Sequence, residues 1–232
     1  IYTSITNDWV TGSILTNAAL GLATHRIKSE KLRCQITFFT SMFMPVSGTI
    51  SDQVKSYREG FLLGLKTGDN VWGSYCCTWT LALALFQGNS ISDLNSLFTK
   101  HNDYVSKLNS PLHSTFLILI EQVMGSITGR TDCFDPASFP IPIEYQLQLP
   151  FSRSNYLFLS SLLEYFADRN TVALGQLRQN DQYLADLGNF FYLHHSFLFK
   201  SMVVVEELSR NDLPESEKTL LLEELKALIE KV

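Results

Sequence analysis

The sequence predicts an all-α protein built from stacked antiparallel helical hairpins. Apolar residues recur at three- and four-residue spacing along most of the chain, as in Val54, Tyr57, Phe61 and Leu65. Residues suited to stopping and restarting helices punctuate these runs, Gly68 followed by Asp69 and Gly88 followed by Asn89. Units of about forty residues recur, as between Ser51 and Ser90, each long enough for two helices and a turn. Together these predict about ten helices in a single helical-repeat domain over 1–232, an α-solenoid or tetratricopeptide-like stack. The strict tetratricopeptide period is absent.

Composition narrows the class. The chain is 45% hydrophobic and 18% charged, well outside the disordered regime, and its net charge of −5 argues against a nucleic-acid partner. No apolar run reaches the roughly 18 residues that a membrane span requires. Residues 1–20 carry no basic leader and no cleavage pattern, so no signal peptide is expected. Cys34, Cys76, Cys77 and Cys133 form no C-x-x-C pair, which suits reduced thiols in a cytoplasmic protein.

Taken in order, residues 9–23 read as a first helix, with Ile14, Leu15, Ala18, Ala19 and Leu22 recurring. Residues 28–31 are a charged break. A second helix over 32–44 has Ile36, Phe39, Met42 and Phe43 as its apolar side, and Pro45 to Gly48 stop it. Ser51 or Asp52 is expected to cap the third helix, which Gly68 ends. Asp69 or Asn70 caps the fourth, whose inner stripe is Tyr75, Trp79, Ala82 and Phe86, with Ala82 small enough for its partner helix to come close.

Ser90 and Asp93 have the form of a capping box for a helix with Leu94, Leu97, Phe98, His101, Val105 and Leu108 inward. Asn109 or Pro111 resets the chain. The run FLILI over 116–120 could be a buried strand alone, but Leu112, Val123 and Ile127 extend the helical period, which predicts a helix over 112–127.

Residues 129–150 hold Pro136, Pro140, Pro142 and Pro150 and predict an irregular strap, anchored by its apolar side chains. An apolar helix over 155–166 follows, then one over 171–187 capped by Asn170, with Leu174, Leu177, Leu184 and Leu187 inward. The next stripe is Phe191, His195, Leu198, Met202, Val205 and Leu208. Asp212, Pro214 and Glu215 start a last helix with Leu221, Leu225, Leu228 and Val232 inward.

The search for chemistry is mostly negative. His194 and His195 are adjacent, so on a helix they point about 100° apart and do not share a metal. No H-E-x-x-H, G-x-S-x-G, Walker glycine loop or G-x-G-x-x-G occurs. Cys76 and Cys77 lack a basic neighbour and read as buried packing residues. Glu206, Glu207, Glu217, Glu223, Glu224 and Glu230 read as solvated faces, and Met42, Met44 and Met202 as gap fillers. No catalytic residue, cofactor or metal site is expected. The candidate partner-binding residues are Tyr57, Trp72, Tyr75 and Trp79, chiefly packing groups, with Trp72 the most exposed of them because it lies in the first turn of its helix.

The stretch YREGFLLGLKTGDNVWGSY over 57–75 resembles a recurring motif in the helical-repeat region of very large bacterial signalling proteins. These combine a serine/threonine-kinase-like domain, a STAND/AAA-like ATPase and often a sensor histidine kinase. Gly64, Leu65, Gly68, Asp69, Tyr75, Phe86 and Gly88 fall in register with the family pattern, while Phe61 stands where tyrosine is usual and Gly73 where alanine is. Residues 122–131 and 191–208 resemble later parts of the same region, and the resemblance covers about 38–225.

The resemblance implies a non-catalytic segment of a two-component-type signalling protein. Such a segment would bind a protein partner or neighbouring domains and relay regulation to kinase and ATPase modules outside this chain. A small-molecule-sensing helical domain is the alternative. An all-α enzyme would need His101, His113 or His195 to meet a carboxylate.

Overall fold

The computed structural model describes residues 9–43, 48–108, 110–129, 150–187, 192–210 and 212–230. Ten α-helices lie among them: α1 (Trp9–Leu22), α2 (Glu30–Phe43), α3 (Ile50–Thr67), α4 (Asn70–Phe86), α5 (Ile91–Leu108), α6 (Pro111–Ile127), α7 (Pro150–Phe166), α8 (Asn170–Leu187), α9 (Tyr192–Leu208) and α10 (Glu215–Ile229). A π-helical turn over Ala23–Ile27 extends α1 and ends at Lys28, which takes the left-handed conformation. No strand occurs among the described residues, and FLILI lies within α6. The Pro-rich connection, Cys133, and the Gly188 and Asn189 turn fall outside them.

The helices divide into two compact units, one running to Glu121 and the other starting at Gln122. In the first, α1 packs on α2, α2 on α3, α3 on α4 and α4 on α5, and α2 also touches α4. In the second, α7 packs on α8, α8 on α9 and α9 on α10. Packing on the neighbour in sequence is the mark of a helical-hairpin repeat, since short turns fold each helix back on the one before.

Capping chemistry explains the ends. Gly68 closes α3 at φ 68°, and the Asp69 side chain accepts from the Trp72 N–H to open α4. At the start of α3 the cap is Thr49, one turn ahead of Asp52. Thr49 Oγ1 accepts from the Asp52 N–H while the Asp52 carboxylate accepts from the Thr49 N–H. The expectation that Ser51 or Asp52 is the cap is therefore displaced, because Asp52 is the third-position partner of a capping box. Ser90 accepts from the Asp93 N–H as expected, and donates its hydroxyl to the Asp93 carboxylate. At α10 the cap is Pro214, and Asp212 instead pairs with Arg210.

One close helix contact is built from glycine. A Cβ added to Gly64 on α3 would lie 2.6 Å from the Gly73 Cα on α4, and one added to Gly60 would lie 2.6 Å from the Cys76 Sγ. The contact lies one helical turn from the hairpin bend, and Ala82 farther along α4 is buried. In α2 the buried aromatic is Phe38, while Phe39 is exposed.

Two predicted stripes face the other way. In α1, Ile14, Leu15 and Leu22 are exposed, and the inward side carries Gly12 and Ser13. In α9, Leu198, Met202 and Val205 are 55%, 50% and 52% exposed, whereas Lys200, Val203, Val204 and Glu207 are buried. Period alone marks an apolar face, but in α9 the interior is set by ion pairs that hold Lys200 and Glu207 inside.

Candidate functional site

In the first unit the four candidate residues gather around a residue the stripe pattern did not single out, Phe38 of α2. Its ring centroid is 5.8 Å from Tyr57, 5.3 Å from Trp72 and 5.4 Å from Tyr75. Tyr57 stacks on Trp79 at 6.4 Å with a 19° tilt, and Trp79 continues to Phe116 of α6. Tyr57 and Trp79 are buried, so they act by packing. Trp72 and Tyr75 are half-buried, and Trp72 also leans on the exposed Phe39. Such rings bury large apolar areas and favour tilted and edge contacts, which suits a rigid joint among α2, α3 and α4.

The histidines of this unit are part of the same interior. His113 meets Tyr75 edge-on at 4.7 Å, and His101 meets Phe61 edge-on at 5.2 Å. Burial lowers both to about 4, helped at His101 by the positive charge of Arg58, so both rings are neutral at pH 7. Neither pairs with a carboxylate among the described residues, and no group of three or more histidine, cysteine, aspartate or glutamate residues is arranged there to hold a metal ion. The side chains of His194 and His195 lie outside the described residues.

Cys34, Cys76 and Cys77 are buried, as expected of packing thiols. The Cys34 thiol donates to the Gly60 carbonyl at 3.2 Å. Its hydrogen bond with Cys76 lowers the Cys34 pKa and raises that of Cys76, and burial raises Cys77 further.

A cluster of four charges lies in the second unit and was not visible as spacing. Lys200 of α9 is buried and contacts Asp181 of α8 at 2.6 Å and Glu224 of α10 at 2.7 Å. Arg178 of α8 forks onto the same Glu224, with its Nη2 at 2.6 Å and Nε at 3.2 Å. Burial pushes the Glu224 carboxyl up, but the hydrogen bonds from Arg178 and Lys200 outweigh it and hold the group below its ordinary value. Four charges from three helices are thereby fixed in one register. The reading of Glu207 and Glu224 as solvated is corrected: Glu207 is buried and accepts from Arg210 at 3.1 Å and from the Thr171 hydroxyl at 3.2 Å. Asn180 and Ser196 are fully buried on α8 and α9, and neither the Asn180 amide nor the Ser196 hydroxyl has a hydrogen-bond partner among the described residues.

Beside Glu207 a cleft of about 510 Å³ opens at the start of α8, lined by Asp168, Arg169, Thr171, Glu206, Glu207 and Arg210 among others. Arg169 is held by Glu164, and Arg210 by Glu207 and Asp212, so its basic groups are committed to carboxylates. The cleft is mixed in character: charged side chains of both signs share it with Val172.

No family model, curated protein or solved structure matches the chain. No helix of the described residues is long and apolar enough to cross a membrane.

Proposed function

We propose that this chain is a non-catalytic helical-repeat segment of a cytoplasmic signalling protein. In this reading it holds a protein partner or a neighbouring domain and relays regulation to ATPase or kinase modules. The observation that carries the reading is α9. Lys200 and Glu207 are turned inward and paired, while the apolar row Leu198, Met202 and Val205 is turned out at half exposure beside the exposed Glu206. Three apolar side chains on one exposed helical face suit a protein surface better than water, and methionine among them adapts to an imperfect partner. The resemblance of residues 57–88 to the helical region of multidomain signalling proteins supports the same class.

A small-molecule-sensing domain is the second reading, favoured by the cleft at the start of α8. The two are separated by one experiment. The wild-type chain and its Leu198→Glu, Met202→Glu variant are used as bait in quantitative affinity capture, beside thermal-shift screening against a metabolite panel. A partner held by the wild type and lost by the variant, with no metabolite raising the melting point, is the expected result. A saturable rise with one metabolite, and no partner lost by the variant, would replace the interaction reading with sensing.

A further inference from the structure

We propose that α1 is a self-association surface and that its occupant is the α1 helix of a second copy of this chain. The proposal rests on the first unit alone and is independent of the α9 row.

In a hairpin stack, a helix left at the solvent normally turns a polar face outward. α1 does the reverse. Its inward side is made of the small residues Gly12 and Ser13, and the Thr40 hydroxyl of α2 reaches its backbone at the Thr16 carbonyl, 3.4 Å away. Its larger aliphatic residues point away from α2: Val10 is 60% exposed, Ile14 63% and Leu22 55%, with Ala18 exposed between the last two. Their spacing of four places Val10, Ile14, Ala18 and Leu22 on one continuous ridge.

Two features select a second copy as the occupant. The ridge is self-complementary: about a twofold axis between Ile14 and Ala18, the large Ile14 of one copy meets the small Ala18 of the other, and Val10 meets Leu22. Two such ridges interlock at about −50°, the commonest crossing of packed helices. Second, α1 contains no charged residue, so two copies approach without like-charge repulsion. The last helix differs in this, carrying Glu215, Glu217, Glu223 and Glu224 with only two lysines. The expected strength follows from area, since four partly exposed aliphatic side chains bury at most a few hundred Å² per copy. That is below the roughly 800 Å² per partner of a standard stable interface, so the pairing is reversible and of micromolar strength or weaker.

The test is sedimentation velocity on the full chain from low to high micromolar concentration. The wild type is compared with Ile14→Glu, Ala18→Glu and the control Leu62→Glu, which places a charge on an equally exposed leucine of α3. Circular dichroism confirms that each variant keeps its helices. Ala18→Glu replaces an exposed alanine, so it reports on the surface even where Ile14→Glu perturbs folding. The expected result is a monomer–dimer equilibrium in wild type and Leu62→Glu, with the dissociation constant raised at least about tenfold in both α1 variants. A wild type that stays monomeric throughout, or dimerisation unchanged in the α1 variants, would overturn the proposal. So would a wild type that binds phosphatidylcholine vesicles through α1 without self-associating in solution.

Discussion

A methyl group on Gly64 would sit 2.6 Å from the Cα of Gly73, so the α3–α4 hairpin closes backbone to backbone at this point. Gly64→Ala must push the two helices apart. Its better helix propensity recovers about 1 kcal/mol, but the displaced packing costs more, and a net loss of about 1–3 kcal/mol in urea unfolding is expected. Gly175→Ala is the control. An added Cβ there meets nothing within 4 Å, and the exposed helical position gains about 0.5–1 kcal/mol. Equal effects at the two glycines would show that no close approach exists.

His101 and His113 make the first unit sensitive to acid. Both pKa values are about 4 in the fold against 6.5 for a free imidazole. The unfolded chain therefore binds protons that the fold excludes, stability is fully present above pH 6.5, and it declines as the pH falls towards 4. Each ring carries up to about 3 kcal/mol of this dependence. His113→Phe, which keeps the edge contact with Tyr75, should remove roughly half of the slope between about pH 6.5 and 4. Urea midpoints measured across that range check it, and an unchanged slope would mean that His113 is solvated.

In the second unit, Lys200→Met should destabilise by about 3 kcal/mol, because Asp181 and Glu224 lose the ammonium between them while Arg178 compensates only Glu224. Asn180→Leu is expected to do the opposite. It replaces a fully buried amide that has no partner among the described residues with an apolar group of similar shape, for a gain of about 1 kcal/mol or more. Chemical unfolding of both variants tests the pair. Destabilisation by Asn180→Leu would show that the amide is satisfied in solution.

Thiol labelling offers a further check. Cys34, Cys76 and Cys77 are all buried; the hydrogen bond with Cys34 together with burial keeps Cys76 protonated, and burial keeps Cys77 so. In the native chain a maleimide should leave these three unmodified, and mass spectrometry should find them labelled only after denaturation.

Much of the fold was legible because helix ends are local. Gly68, Asp69, Ser90 and Pro111 act through their own backbone and nearest neighbours, and the structure uses each at or within a residue of the expected boundary. The cap at Thr49 lay one turn earlier than expected, since Asp52 is as good a third-position partner as a cap. Side-chain direction was less legible. The apolar row of α9 satisfies the helical period, but so does the opposite face with Phe199, Val203 and Val204. The decision falls to Lys200 and Glu207, whose partners lie on α8 and beyond the end of α9. The aromatic cluster was half visible: Tyr57, Tyr75 and Trp79 were marked by spacing and Trp72 by its place in the first turn of α4, while Phe38 belongs with them only because α2 packs against both α3 and α4.

The outward face of α9 carries the functional reading, and a single cysteine at Met202 tests it most directly. In a Cys133→Ser background, Met202→Cys should react with a maleimide within seconds in the isolated chain. It should be protected once the chain is bound to the partner captured by the wild type, whereas a cysteine at the buried Val203 stays unreactive in both states. A cysteine at 202 that fails to react in the isolated chain, or that reacts equally in the complex, would contradict an interaction surface on this helix.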